Sequence, residues 1–208
     1  MGRHTEAKCR LCRREGMKLF LKGARCFSPK CAIARRESAP GMHTFRHSKP
    51  SQYCNQLREK QKIKRYYGMR ERPFRHLFHK AEQMPGNTGE ALLSMLERRL
   101  DNVLYLAGWA MGRSHARQLV AHGHITVNGR RVNVPSYLAE PDDVITVHGG
   151  DEAKAMIKAN REQTKDRETP AWIAVTEDPL AVTVRTTPSR DDISVEVREQ
   201  MVIEILSK

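Results

Sequence analysis

A chain of 208 residues allows one large domain or two small ones, each with a modest core. It carries 37 Lys and Arg against 24 Asp and Glu, a net charge of +13, so a polyanion is the expected partner. No run of about 18 apolar residues is present to span a bilayer. Met1-Gly2-Arg3-His4-Thr5-Glu6 leads into charge, so a membrane span and a secretory signal are not expected; the reading is cytoplasmic, with an organelle left open.

Residues 1–50 read as irregular: Pro29, Pro40, Gly41 and Pro50 punctuate them and the apolar residues show no period. From Ser51 to Tyr67 the pattern turns helical, with Tyr53 and Leu57 on one face. Phe74, Leu77, Phe78 and Ala81 predict a second helix, stopped by Pro85-Gly86. Asn87 with Glu90 three residues on resembles a capping box. It opens a helix with Leu92, Leu96, Leu100 and Val103 on one stripe, ending at Gly108. A short helix follows from Arg113 to His122, and Gly123 sits where a left-handed residue closes a helix. Ile125-Thr126-Val127 and Arg130 to Val134 flank Asn128-Gly129, a strong hairpin signal. Val144–Val147 reads as a strand, 151–163 as a polar helix, and 172–175 and 180–184 as strands. Val197, Met201 and Ile205 suggest a closing helix. There is no internal repeat.

The charge is uneven. Residues 1–86 hold 22 Lys or Arg and 6 Asp or Glu, a net +16, whereas 87–150 are neutral and 151–208 carry −3. The polyanion is therefore expected to be gripped mainly by the first 86 residues.

Cys9, Cys12, Cys26 and Cys31 form two close pairs. Each pair can chelate one ion through a tight knuckle, and four thiolates suit a closed, structural zinc site. Arg10, Arg13, Arg14, Arg25 and Lys30 are expected to lower the thiol pKa values and to offset the charge of a zinc tetrathiolate. An iron–sulfur cluster takes the same four donors, and spacing alone does not separate the two. Cys54, alone on a predicted helix, reads as a small buried residue.

Residues 97–147 combine helix, short helix and hairpin. Arg113, Arg117 and His124 project around one helix and its exit, and Arg130 and Arg131 follow the turn, making a basic face suited to phosphates. This stretch resembles the small RNA-binding module named after ribosomal protein S-four. Cys9-Arg10-Leu11-Cys12-Arg13-Arg14-Glu15-Gly16, Leu57-Arg58-Glu59-Lys60-Gln61-Lys62, Leu100-Asp101-Asn102-Val103, His122-Gly123-His124-Ile125, Val127-Asn128-Gly129-Arg130 and Glu199-Gln200-Met201-Val202-Ile203-Glu204 extend the resemblance in order along nearly the whole chain. It is similar to the bacterial ribosomal protein S-four family, in its cysteine-retaining form.

That resemblance implies a structural component of the small ribosomal subunit. Family members are primary binders of 16S rRNA that nucleate assembly of the subunit body. They neighbour ribosomal proteins S-five, S-three and S-twelve, affect decoding accuracy and line the channel by which mRNA enters. Leu106, where the family usually has Arg, and the neutral module shift weight to residues 1–86.

The expected fold is α+β. A four-cysteine basic segment (1–50) and a helical rRNA-binding region (51–96) lead into a helix–helix–β-hairpin module (97–160). Short strands and a closing helix (161–208) return to the helical region. The residues expected to touch RNA are Arg10, Arg13, Arg14, Lys18, Lys22, Arg25, Lys30 and Lys49 in the first segment. Arg58, Lys60, Lys62, Lys64, Arg65 and Arg72 follow in the helices, then Arg113, Arg117, Gln118, His122, His124, Arg130 and Arg131 in the module. With aromatic residues at 6%, binding is expected through phosphates and shape rather than a stacking platform.

An RNA-modifying enzyme carrying the same module is the first alternative. No nucleophile–base pairing or catalytic motif supports it, and Asp101, beside Asn102 on a helix, reads as structural. A zinc-ribbon DNA-binding regulator is the second; it would want a base-reading recognition helix.

Overall fold

The computed structural model describes residues 4–42, 49–165, 167–177 and 180–207. The opening Met1-Gly2-Arg3, considered above as the start of a signal, lies outside them. Helices are α1 (Lys8–Glu15), α2 (Ala32–Arg35), α3 (Gln52–Tyr66), α4 (Glu71–Glu82), α5 (Thr88–Glu97), α6 (Leu100–Leu106), α7 (Arg113–Ala121), α8 (Asp151–Glu162) and α9 (Glu199–Leu206). Strands are β1 (Ile125–Val127), β2 (Arg130–Arg131), β3 (Val144–Val147), β4 (Ile173–Thr176) and β5 (Ala181–Val184). The chain divides into two compact units, Met1–Leu92 with Val195–Lys208, and Leu93–Ser194.

In the first unit, residues 1–50 are not irregular throughout. They contain α1, α2 and a 3-10 turn at Gly23–Cys26. Periodicity missed α1 because eight mostly charged residues, with Leu11 the one aliphatic side chain, are too few for an apolar repeat to show. It ends on Gly16, whose φ of 68° lets its N–H reach the carbonyl of Cys12.

Ser51 caps α3, its hydroxyl accepting the N–H of Cys54 at 3.2 Å. Phe74, Leu77, Phe78 and Ala81 form the buried face of α4. The closing helix α9 packs on α3. Gln56 of α3 is buried and donates its amide to the carboxylate of Glu204, and the N–H of Arg198 reaches Glu59 Oε2 at 3.2 Å. The inward residue of α9 is Val202 rather than Met201 or Ile205, which are only half-buried. The helix begins at Glu199, so Val197 precedes it and does not set its phase.

The helix expected from Asn87 to Gly108 is broken. Asn87 caps α5, accepting the N–H of Gly89 at 2.9 Å and donating to Glu90 at 3.0 Å. Arg99, however, is extended (φ −61°, ψ 134°) and bridges Leu138 antiparallel. The N–H of Ala139 bonds the carbonyl of Arg98 at 2.9 Å, and that of Leu100 bonds the carbonyl of Tyr137 at 2.8 Å. A bridge to a distant segment here outcompetes one turn of helix, and α6 then restarts the ladder.

The second unit is built on one five-stranded antiparallel sheet in the order β2-β1-β3-β5-β4. Asn128 and Gly129 take φ of 50° and 76°, as the tight hairpin between β1 and β2 requires. Only Arg130 and Arg131 pair as β2, so the strand expected to Val134 is shorter. Ile125, Val127 and Ile145 face a core with Leu100, Leu104, Trp109, Ile157, Trp172 and Val182. Opposite them, Thr126 and Thr146 pair across β1 and β3, hydroxyl to hydroxyl at 2.5 Å. Strands β4 and β5 belong to this sheet, so this unit runs to Ser194 and only the last stretch joins the first unit.

Candidate nucleic-acid interface

Helix α1 places Cys9 and Cys12 one turn apart, the 3-10 turn ends on Cys26, and Cys31 precedes α2. The four thiols line one cavity of about 20 Å³, room for a single water-sized sphere. Among the described residues, no group of three His, Cys, Asp or Glu side chains is arranged to hold a metal ion as it stands, and all four cysteines are free thiols. The expectation of lowered thiol pKa values does not hold for two of them. Burial pushes the Cys12 thiol up, opposed by the N–H of Leu19, and the other three cysteines add to the rise. Burial also raises Cys26, opposed by the N–H of Lys22 at 3.3 Å and only last by Lys18. The neighbouring arginines do not counter this because Arg10, Arg14 and Arg25 are turned out to solvent.

Helix α3 is less available to a polyanion than its composition suggests. Lys60 is 7% exposed and donates to Glu71 at 2.6 Å; Lys64 reaches the other Glu71 oxygen at 2.9 Å. Lys62 pairs with Glu59 at 2.6 Å. Arg65 and Arg58 both engage Glu15, the second at 3.4 Å. Burial pushes the Glu71 carboxyl up, but the bonds from Lys60 and Lys64 outweigh it and hold it at about 2. Glu15 goes the other way: burial raises it, against the pull of Arg65, Arg58 and Lys62. Five basic residues expected at RNA are thus matched by carboxylates within the chain.

Arg13 also works internally, donating to the carbonyls of Ser38 at 2.9 Å and Ala39 at 3.3 Å. Arg10, Arg14, Lys18, Lys22, Arg25, Lys30, Lys49 and Arg72 are exposed. Arg35 and Arg36, not among the residues expected at RNA, are exposed too. The signal that could have found them is their place in an acid-free run from Gly16 to Arg36.

In the module, Arg113 is buried, 6% exposed, with Nε on Asn102 at 2.8 Å and its guanidinium 4.2 Å over the Tyr105 ring. Asn102 in turn donates to the carbonyl and carboxylate of Glu97 at 3.0 and 2.5 Å. Arg99 grips Asp101 with two bonds, 3.1 and 2.7 Å, and Arg117 approaches the same carboxylate at 3.6 Å. Asp101 is therefore a structural anion. Arg131 donates to the carbonyls of Gly123 at 3.0 Å and His122 at 3.2 Å, capping the exit of α7. A Cβ on Gly123 would lie 2.3 Å from that guanidinium, and its φ of 74° favours glycine as well. Gln118, His122 and Arg130 are exposed, and His122 stacks on His124 with centroids 6.2 Å apart. His115, half-buried on α7, has its pKa lowered by burial.

Two family models match the chain: the ribosomal protein S4/S9 N-terminal domain over residues 3–97 and the S4 domain over residues 98–145. The chain is 53% identical over 208 residues to a protein of Pelotomaculum thermopropionicum named small ribosomal subunit protein uS4, all of each chain being covered. Proteins of the same name from Thermoanaerobacter sp. and Thermodesulfovibrio yellowstonii are 50% and 48% identical, again over the full length of both. None of these names denotes an enzyme. The chain belongs to the uS4 family of small ribosomal subunit proteins.

Proposed function

We propose that this chain is a structural, non-enzymatic constituent of the small ribosomal subunit that binds 16S rRNA, nucleates assembly of the subunit body and contributes to translational accuracy. The observation that carries the reading is end-to-end similarity to proteins named for that subunit, 53% over all 208 residues. The charge supports it. Arg10, Arg14, Lys18, Lys22, Arg25 and Lys30 are exposed and enter no ion pair among the described residues, leaving them available to phosphates. The finer partners are ribosomal proteins S-five, S-three and S-twelve and the mRNA at its channel, in a cytoplasmic ribosome. No helix of the described residues is long and apolar enough to cross a membrane.

Four thiols line one small cavity, and four thiolates are the donor set of a closed structural zinc site. Cys9, Cys12, Cys26 and Cys31 would hold it, and the ion would cross-link α1, the 3-10 turn and the start of α2. An iron–sulfur cluster would use the same donors and would show itself by visible absorption.

The test is affinity for 16S rRNA against duplex DNA of equal length, across salt. Preference for the rRNA at every salt concentration is expected. Equal binding to both would overturn the reading in favour of a general nucleic-acid binder.

A further inference from the structure

Phe27 is 62% exposed, although it is among the largest apolar side chains of the first unit. Its ring stacks on that of Phe20, with centroids 5.1 Å apart and planes 29° from parallel. Phe20 carries a φ of 50°, a sparsely populated region for an aromatic residue and one that concentrates at functional sites. The loop under the pair is internally bonded. The N–H of Phe27 reaches the carbonyl of Ala24 at 3.1 Å, Ser28 Oγ donates to the carbonyl of Arg25 at 3.0 Å, and Cys26 is buried beside it. The ring is therefore held out in water by a fixed backbone, not left on a loose tip.

The surroundings say what it meets. From Gly16 to Arg36 there is no acidic residue, while Lys18, Lys22, Arg25, Lys30, Arg35 and Arg36 are all exposed. A segment this rich in exposed cations disfavours an apolar protein patch but suits a polyanion whose bases carry π faces. Phosphate contacts alone need no exposed aromatic. We propose that Phe27, backed by Phe20, is a stacking platform for one unpaired nucleobase of the RNA this chain binds, with the surrounding lysines and arginines on the flanking phosphates. This rests on the rRNA-binding reading above. It also amends the sequence expectation: the aromatic content is too low for an extended stacking surface, but two rings suffice for one base.

The experiment measures affinity of the full chain for 16S rRNA across salt, for the parent and for Phe27→Ala, Phe27→Leu and Phe27→Trp. Stacking on one base predicts a loss of roughly 5- to 150-fold in the Ala variant. A comparable loss is expected for Leu, which keeps apolar bulk and guards against a folding defect, and recovery for Trp. The salt slope stays unchanged, since every phosphate partner is still present. Parental affinity in the Leu variant overturns the inference. So does unchanged rRNA affinity in the Ala variant with impaired incorporation into subunits, which would assign the ring to a protein neighbour. Failure of the parent chain to bind the rRNA would instead sink the underlying reading, and the inference with it.

Discussion

Lys60 Nζ lies 2.6 Å from Glu71 Oε1, joining the middle of α3 to the first turn of α4. With Lys64 on the second oxygen, this pair turns a helix that looks like an open basic face into one whose charge is largely matched inside the fold. On the proposed reading, the electrostatic grip on RNA would then rest on the exposed residues of α1, the 3-10 turn and their flanks.

The same pair makes an acid-stability prediction. Glu71 is held at about 2, below its ordinary 4.5, so the native state binds the proton less readily than the unfolded chain. Its contribution is fully present above pH 4.5 and is lost as pH falls through about 2. The carboxylate is about one-third exposed, so after solvent screening about 1 kcal/mol is at stake. Glu71→Gln should lower stability at pH 6 by that amount and flatten the loss between pH 4.5 and 2, measured by urea unfolding of both proteins. Parallel pH profiles would remove the pair from the stability account.

Asp101 should be structural and costly to remove. Asp101→Asn leaves Arg99, only 3% exposed, without its carboxylate, and stranding one partner of a buried pair costs about 3–5 kcal/mol. Hydrogen exchange should show protection lost across Leu93–Ser194 and retained in α3 and α4. Uniform exchange in both units, or no change, would contradict the assignment.

Gly123→Ala should destabilise the second unit by about 1–2 kcal/mol. The left-handed φ is one cause, and displacement of Arg131 from the carbonyls of Gly123 and His122 is the other. Thermal unfolding reads the loss. An unchanged melting temperature would mean that the turn relaxes without cost.

Metal content tests the thiol cavity. Cys26→Ser should release one zinc equivalent and loosen α1 and α2, leaving the sheet of the second unit intact. Unchanged metal content in that variant would rule out a four-thiolate site.

Much of the second unit was legible because its signals are local. Asn128-Gly129 carries its turn in two residues, and Gly123 marks the end of α7 through its own φ. The break at Arg99 was not legible, because the bonds that hold it come from Tyr137 to Ala139, far along the chain. Helix α1 was not legible because its eight mostly charged residues are too few for an apolar repeat to show. The basic residues of α3 were visible, but not their neutralisation. Lys60 and Lys64 meet an acid on the next helix, and Arg58 and Arg65 meet Glu15 from more than forty residues upstream. Residue types can be counted in a sequence, whereas pairing is a property of the fold.

The most direct test of where RNA is held compares two double variants for 16S rRNA affinity between roughly 50 and 200 mM salt. Arg10→Gln with Arg14→Gln removes two exposed charges from α1; Arg117→Gln with Arg130→Gln removes two from the module. Removing one cation that neutralises a phosphate should reduce the salt slope by about 1. The account predicts the larger affinity loss and a slope reduced by about 2 for the α1 pair, with a smaller effect for the module pair. A larger loss from the module pair, or a nearly flat salt dependence in the parent protein, would contradict it.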